Sequence, residues 1–256
     1  MIMKNIYFIS DAHLGSWAIS HGRMQERRLV RFLDDVKDKA EAVFMLGDMF
    51  DFWYEFRYAV PKGFTRFLGK VSELTDNGVE VHFFIGNHDI WCGDYLEKEC
   101  GVIIHRQHYT TEIHGQEFFL AHGDGLGDDG VSFKLLRKIF HSRFLQICFS
   151  AIHPRWSLKM GHEWAKKSMV RHLEKGIPVF CGEEGEPLVR YSKEYLTTHP
   201  SINYFIFGHR HLELNLQLSH SCRMLILGDW IQHFSYAVFN GKNLEYGNYV
   251  EGETKL

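Results

Sequence analysis

The sequence predicts an α/β protein built on a parallel sheet. Its first 85 residues alternate as strand, helix, strand, helix and strand, an order that joins parallel strands by helical crossovers. Five predicted strands end in Asp, Asn or His, and ligands of α/β sheets bind at the carboxyl ends of strands. With 256 residues, 45% of them hydrophobic, the chain suits one large domain with an insertion.

Apolar patterning places the first elements in order. Short runs of apolar and aromatic residues predict strands at 4–10, 42–46 and 79–85. Helices are predicted between them, at 23–39 and 61–76. The first helix has an apolar face at three- and four-residue spacing, formed by Leu29, Phe32, Leu33 and Val36.

The second half of the chain contains a long helical segment between strands. Strands at 102–113 and 116–121 are predicted to turn at His114-Gly115, before a helical region at about 131–175 that breaks near Pro154. A Gly- and Glu-rich loop, a helix and four strands then follow, at 176–187, 187–198, 203–207, 215–218, 224–227 and 233–239. We therefore expect a single domain, 1–256, with a helical cap inserted at about 130–186.

Composition excludes several classes of protein. The net charge is −3 with neutral histidines, so no basic field favours nucleic acid. The five cysteines are scattered without a CxxC pair, which is typical of reduced thiols in the cytosol. The amino-terminal residues lack the pattern of a signal peptide, and no run of about 18 apolar residues is present. We expect a cytoplasmic protein.

A polar cluster follows each of five predicted strands. The clusters are Ser10-Asp11-Ala12-His13, Gly47-Asp48-Met49-Phe50-Asp51, Gly86-Asn87-His88-Asp89, His122-Gly123-Asp124 and Gly208-His209-Arg210-His211. Any one of them alone is more often a capped turn, but five together in a chain with 17 histidines favour a metal site. The candidate ligands are Asp11, His13, Asp48, Asn87, His122, His209 and His211.

This donor set predicts two metal ions. Seven ligands are too many for one tetrahedral ion, but they suit two ions that share a carboxylate. Oxygen and imidazole donors without a thiolate favour Mn²⁺, Fe or Zn²⁺. Two such ions activate water as a hydroxide that attacks phosphorus in line.

The motif order resembles that of the calcineurin-like metallophosphoesterases across about residues 5–235. The motifs are D-x-H, G-D-x-x-D, G-N-H-D, H-G-D and G-H-x-H. The resemblance implies a four-layer α/β/β/α sandwich with a dinuclear site at one edge. It also implies that one ion is held by Asp11, His13, Asp48 and His211, and the other by Asp48, Asn87, His122 and His209, with Asp48 bridging.

His88 and Asp51 are the candidate catalytic residues. Because His88 follows the ligand Asn87, its imidazole lies near the ions and can donate a proton to the leaving group. Asp51 is expected to orient His88 and keep it protonated, a pairing that the wider superfamily also uses. The alternative for Asp51 is a helix N-cap. Asp89 is expected to support the turn.

Within the superfamily, the chain most resembles the UDP-2,3-diacylglucosamine pyrophosphatases of lipid A biosynthesis. The resemblance rests on FISDAHLG, LGDMFDFWYEF and HGDGLGDDGVSFKLLRKIFHSRFLQICF. It implies two Mn²⁺ ions, a cap that holds acyl chains, and cleavage of the substrate to 2,3-diacylglucosamine 1-phosphate and UMP. The substrate contacts that carry over are Asn87, His88, Asp129, Lys166, Lys167 and His209. Two features depart from that family: His88 replaces its usual Arg, and residues 176–188 form an extra loop.

The cap is open to two interpretations. Its helices have apolar stripes at Phe133, Leu136, Phe140, Phe144 and Ile147, and at Leu158, Gly161, Ala165, Met169 and Leu173. Basic residues lie on or beside the second helix: Lys159, Lys166, Lys167, Arg171 and Lys175. In the first, both stripes pack against the sheet and the basic residues are solvated. In the second, the cap forms an acyl tunnel with a cationic rim, and the protein binds the inner face of the inner membrane. The two can coexist.

Two other functional classes compete with this interpretation. The first is a cytosolic phosphodiesterase or phosphatase for a soluble nucleotide or phosphoester, which would need no acyl tunnel. The second is a binding module without catalysis, which should have lost ligands, whereas all seven are present. The sequence leaves the oligomeric state open.

Overall fold

The structure, a computed structural model, describes residues 4–127, 130, 138–140, 142–176, 178–250 and 253–255. The strands of the first half are β1 (Asn5–Ile9), β2 (Ala40–Met45), β3 (Glu80–Phe84), β4 (Ile103–His105), β5 (Tyr109–Ile113) and β6 (Gln116–Ala121). Those of the second half are β7 (Ile202–Phe207), β8 (Leu214–Gln217), β9 (Arg223–Ile226), β10 (Ser235–Phe239), β11 (Leu244–Val250) and β12 (Glu253–Lys255). The helices are α1 (Gly22–Val36), α2 (Thr65–Asp76), α3 (Tyr95–Cys100), α4 (Arg143–Ala151), α5 (Pro154–Lys175) and α6 (Pro187–Thr198).

The strands form two mixed sheets. The first has seven strands in the order β12-β11-β10-β1-β2-β3-β4, and the second has five in the order β5-β6-β7-β9-β8. Strands β1, β2 and β3 are parallel, as predicted, and β4 is parallel to β3; β6, β7 and β9 are also parallel to one another. The hairpin strands β10 to β12 add antiparallel pairs at the β1 side, which the early β-α-β order did not predict.

Alternating side chains stack the two sheets into four layers. In β1, Ile6 and Phe8 pack between the sheets, against Phe118 and Ile206. Tyr7 and Ile9 point the other way, into a core shared with α1, α2 and α3. Helix α6 covers the outer face of the second sheet through a cluster that includes Leu188, Val189, Phe119, Phe205 and Phe207. The arrangement is the α/β/β/α sandwich that the resemblance implied.

One predicted strand turns out to be two. The segment 102–113 forms β4 at the edge of the first sheet and β5 at the edge of the second, separated by the polar residues Arg106, Gln107 and His108. A break at these three residues lets the chain cross between the layers. The short helix α3 and the strand β11 were also missed by the sequence analysis.

The cap helices differ from each other in how they pack. On α5, the predicted stripe is largely buried, through Gly161, Ala165 and Met169. On α4, Phe144 and Ile147 are 72% and 66% exposed, so these two residues do not pack against the sheet as the first interpretation of the cap requires. Phe133 and Leu136 lie outside the described residues. Within the part of the chain that the structure describes, no helix is both long and apolar enough to cross a membrane.

Aromatic residues after β2 form the platform on which the cap sits. Phe52 and Tyr54 form a buried cluster with Ala165 of α5. Phe149 of α4 packs on Tyr54 and on Trp91, with ring centroids 4.9 and 4.8 Å apart. Two hydrogen bonds fix the contact, because the Tyr54 hydroxyl donates to the Gln146 carbonyl and Trp91 Nε1 donates to the Phe140 carbonyl.

Candidate metal centre

The carboxyl ends of β1, β2, β3, β6 and β7 bring the five polar clusters together. Main-chain hydrogen bonds join neighbouring loops: the His13 N–H donates to the Asp48 carbonyl at 2.9 Å, and the Gly208 N–H donates to the His122 carbonyl at 2.9 Å. The two sheets are linked by the His209 N–H, which donates to Asp11 Oδ2 at 2.9 Å. The loops of both layers therefore form one rigid rim.

Backbone strain is concentrated in these loops. Eight described non-glycine residues have a positive φ, and five of them are candidate ligands: Asp11, His13, Asp48, His209 and His211. Each such conformation costs on the order of 1–3 kcal/mol and persists only where the surrounding structure enforces it. Strain of this kind clusters at functional sites, which supports a site at this rim.

The first group of donors consists of Asp11, His13 and His211. Their ligand atoms lie within 4.8 Å of one another. The Nε2 atoms of His13 and His211 are 3.2 Å apart, and Asp11 Oδ1 lies 3.5 Å from His211 Nε2. All three atoms therefore face one point.

The second group consists of Asp48, His122 and His209, with Asn87 beside them. His122 Nε2 lies 3.4 Å from Asp48 Oδ2 and 3.2 Å from Asn87 Oδ1. The same Asp48 Oδ2 is 3.7 Å from His13 Nε2, which belongs to the first group. Asp48 is thus the carboxylate between the two groups, in the position that a bridging ligand requires.

Asp11 and Asp48 each use one carboxylate oxygen for hydrogen bonds within the loops and leave the other oxygen facing the candidate metal site. Asp11 Oδ2 accepts from the His209 N–H and from Ser10 Oγ, whereas its buried Oδ1 has no hydrogen-bond partner among the described residues. Asp48 Oδ1 accepts from the His88 N–H at 2.8 Å, which leaves Oδ2 facing the histidines. A buried carboxylate oxygen without a donor is costly unless a cation pairs with it. The donor set therefore fits divalent ions.

Hydrogen bonds on the far side of the imidazoles select the tautomer that binds metal. His122 Nδ1 donates to the Leu46 carbonyl at 2.8 Å, and His211 Nδ1 donates to Asp229 Oδ2 at 3.1 Å. With the proton on Nδ1, the Nε2 lone pair points into the site.

Glycine is needed beside His122, because a Cβ at Gly47 would lie 2.5 Å from His122 Nδ1.

Comparison with known proteins agrees with this geometry. The family model for calcineurin-like phosphoesterases matches residues 4–213. The chain belongs to the calcineurin-like phosphoesterase family. A UDP-2,3-diacylglucosamine hydrolase of Porphyromonas gingivalis is 44% identical over 252 residues, covering 94% of this chain and 96% of that protein. One of Neisseria meningitidis is 30% identical, covering 92% of each chain.

Solved structures include more distant matches. Yfce, a phosphoesterase from E. coli, has a TM-score of 0.47 and 14% identity, covering 98% of this chain and 96% of that one.

As a member of this family, the protein is a hydrolase, and the family implies divalent metal ions at the site. Charges around the donors agree with that requirement. Burial raises the pKa of Asp11, because the ionised carboxylate is removed from water, and His211 and His122 oppose the rise. Burial opposes ionisation of Asp48 as well, but His122 and His88 hold its pKa well below the usual range. Cations beside these oxygens stabilise both carboxylates in the form that binds metal.

His88 lies beside the donors, but it is oriented differently from the prediction. Its Nδ1 donates to the main-chain carbonyl of Asp51 at 2.8 Å, whereas the Asp51 carboxylate is 3.8 Å from that atom. The carboxylate is closer to His13 Nδ1, at 3.4 Å. Burial lowers the pKa of His88, which favours neutral imidazole rather than the expected protonated form. The catalytic roles of His88 and Asp51 remain predictions.

Asp89 closes the turn after β3, as expected. Its Oδ1 accepts from the Gly86 N–H at 2.7 Å, and Oδ2 accepts from the Met49 N–H at 2.9 Å. Burial and the charge of Asp48 raise the pKa of Asp89 to about 7. This side chain therefore ties the turn that presents Asn87 and His88 to the loop after β2.

The cap brings two aromatic side chains of α5 to the donors. The ring centroid of Trp164 is 5.5 Å from that of His88, and the centroid of His172 is 4.2 Å from that of His211. Sequence analysis singled out neither residue. Two predicted substrate contacts lie on the same helix: Lys166 is half-buried and Lys167 is exposed. No ion pair joins either of them to a described residue. Asp129 lies outside the described residues.

Asp229 is the most informative residue that sequence analysis missed. It is 2% exposed and follows β9, as Leu227-Gly228-Asp229. The sequence did contain a signal for it, because Asp229 follows a strand and a glycine in the same way as Asp48. Burial opposes ionisation of Asp229, but hydrogen bonds from His211 and His233 lower the pKa of the carboxyl far below its usual value. It is therefore a stable anion behind a candidate ligand.

Proposed function

We propose that the protein hydrolyses the pyrophosphate bond of UDP-2,3-diacylglucosamine, releasing 2,3-diacylglucosamine 1-phosphate and UMP, at a site that holds two Mn²⁺ ions. The observation that carries the chemistry is Asp48 Oδ2, which faces His13 and His122 at 3.7 and 3.4 Å. The substrate is supported by relatives named UDP-2,3-diacylglucosamine hydrolase, which align with more than nine-tenths of the chain.

In this proposal Asp11, His13, Asp48 and His211 hold one ion. Asp48, Asn87, His122 and His209 hold the other. When bound, two divalent ions supply charge that offsets the phosphoryl oxygens and a nucleophile from water at neutral pH. Zn²⁺ and Fe fit the same oxygen and imidazole donors, so Mn²⁺ is the part of the proposal that needs a metal analysis.

The protein's own residues bind and orient the pyrophosphate in this scheme. His88 is held by the Asp51 carbonyl beside both donor groups, where in its protonated form Nε2 can donate to a phosphoryl oxygen or to the leaving group. Trp164 packs at one side of His88, which is buried. His172 reaches the rim from the cap, so substrate binding under α5 and chemistry at the donors involve the same helix.

A cavity of about 600 Å³ under α5 supports an acylated substrate. Its apolar wall includes Leu14, Trp17, Phe64 and Leu158. Its basic residues are Arg23, Lys62, Arg155 and Lys159. Apolar surface with nearby cations suits an acyl chain attached to a phosphorylated sugar, and Leu14 of the cavity wall follows the candidate ligand His13 in the chain.

The cap also presents a surface suited to a membrane, and we include peripheral binding to the cytoplasmic face in the proposal. Phe144, Ile147, Trp156 and Met160 are 56–72% exposed on α4 and the start of α5. Arg143, Arg155 and Lys159 interleave with them in sequence. Apolar side chains among cations favour the headgroup region of anionic lipid, where an acylated substrate resides. We also propose that residues 1–256 form a single domain into which the cap, at about 130–186, is inserted.

The decisive experiment is incubation with UDP-2,3-diacylglucosamine and Mn²⁺, followed by chromatography of the nucleotide product. We expect UMP, and we expect Asp48→Asn to release none, since it weakens both groups at their shared oxygen. UMP release that persists in Asp48→Asn would contradict the bridging role. Hydrolysis of simple phosphodiesters without cleavage of this substrate would favour a phosphodiesterase for soluble compounds.

A further inference from the structure

A second, smaller cavity adjoins the metal centre, and none of the described residues that line it belongs to the cap. Its volume is about 240 Å³, and its lining includes Ile85, Ile90, Gln107, Asp124 and Leu126. Gly86 and His122 also line it, so it opens directly beside the donors. Neither the proposed chemistry nor the acyl cavity uses this space.

The two cavities are bordered by the loops of different donor groups. The cap cavity is lined by Leu14, which follows His13 of the first group. The smaller cavity is lined by His122 of the second group and by Gly86, which precedes Asn87. A molecule bound across the two groups would therefore extend one end into each cavity.

We propose that the smaller cavity, which we call the nucleoside cavity, binds the uridine end of the substrate. This inference rests on the proposed function and adds the orientation of the substrate to it. The substrate has a polar nucleoside on one side of the pyrophosphate and an acylated sugar on the other. The larger, mostly apolar cavity takes the acylated end, so the nucleoside occupies the smaller one.

The lining of the nucleoside cavity matches a pyrimidine nucleoside. Ile85, Ile90 and Leu126 offer apolar surface to the faces of the base. The Gln107 amide has a donor and an acceptor, which complement a uracil edge that carries a carbonyl next to an N–H. Asp124 also belongs to the lining.

Arg106 places a fixed positive charge at this cavity. Its guanidinium donates to the carbonyls of Cys92 and Gly93 at 2.9 and 2.8 Å, and Arg106 belongs to the cavity lining. A guanidinium held by two carbonyls keeps its position without paying further side-chain entropy on binding. It attracts the phosphate that links the nucleoside to the metal centre.

The test measures the affinities of the Mn²⁺-loaded full-length protein for the two products separately, by calorimetry. Gln107→Ala should weaken UMP binding about two- to tenfold, as the loss of one hydrogen-bonding side chain does. Ile90→Trp should weaken it roughly tenfold or more by filling the cavity. Each change should affect UMP at least about fivefold more than 2,3-diacylglucosamine 1-phosphate.

Leu158→Trp, in the cap cavity, is the matched variant and should show the opposite preference. If Leu158→Trp selectively weakens UMP, or if both products respond equally to all three variants, the orientation is wrong. Hydrolysis of the full substrate by the wild type distinguishes failure of the orientation from failure of the proposed function. Normal hydrolysis with unselective variants overturns the orientation alone, whereas no hydrolysis overturns the proposed function together with it.

Discussion

Replacing Asp229 by Asn changes the proton position on a candidate metal ligand. Asp229 Oδ1 accepts from the backbone N–H groups of residues 231–233 at 2.7–3.1 Å, and Oδ2 accepts from His211 Nδ1 at 3.1 Å. An Asn oxygen can retain the three backbone bonds, but its amide then points N–H groups at His211. Because two donors cannot pair, the imidazole proton moves to Nε2, the atom that faces Asp11.

The size of the effect follows from the bonds that are kept and lost. Removing the partner that orients a metal-binding histidine typically costs 10–100-fold in metal affinity, which is about 1.4–2.7 kcal/mol. The backbone bonds survive, so the free energy of unfolding measured with a chelator should change by no more than about 1.5 kcal/mol, the worth of one hydrogen bond. Metal affinity should therefore fall while the fold persists.

Calorimetric titration with Mn²⁺ measures this change, and one of the two ions should be affected. Asp35→Asn is the matched control, since it makes the same substitution at a carboxylate that accepts from the Tyr249 hydroxyl at 2.7 Å, outside the donor clusters. We expect that control to bind Mn²⁺ like the wild type. Equal affinities for wild type and Asp229→Asn would refute the argument that His211 binds through Nε2.

Two further predictions concern the cap. Gly161→Ala should lower the melting temperature and the activity, because a Cβ there would overlap the ring of Phe52; overpacking of this kind costs about 1–3 kcal/mol. The control is Gly69→Ala on α2, where an added Cβ meets nothing within 4 Å, and it should keep or raise the melting temperature. A lower melting temperature for both variants would contradict the overlap. Phe144→Ser combined with Ile147→Ser should reduce cosedimentation with phosphatidylglycerol vesicles several-fold; unchanged binding would exclude this surface as the membrane contact.

Much of the fold was predictable because the signals are local. The strands β1, β2, β3 and β6 and the helices α1 and α2 lie within a few residues of their predicted bounds. Burial on both faces of a strand produces apolar runs, and packing on one face of a helix produces a three- and four-residue period. The segment 102–113 misled because it contains two edge strands of different sheets that are separated by only three residues.

The cap shows the same limit at the level of side chains. Periodicity identified a stripe on each helix, but it could not show that α5 buries Gly161 and Ala165 while α4 exposes Phe144 and Ile147. Which apolar face packs depends on the partner that tertiary structure supplies. Here the partner is the aromatic platform that includes Phe52, built from a loop about 100 residues away in sequence.

The sequence by itself determined the chemistry available to this protein. Residue type and order at the strand ends specify oxygen and imidazole donors, which suit Mn²⁺, Fe or Zn²⁺ without choosing among them. Only the tertiary structure decided that Asp48 Oδ2 faces both donor groups, that Asp229 stands behind His211, and that one cavity lies beside His122 and another under the cap. Those features join residues from separate loops and layers, so they depend on long-range packing that no local pattern encodes.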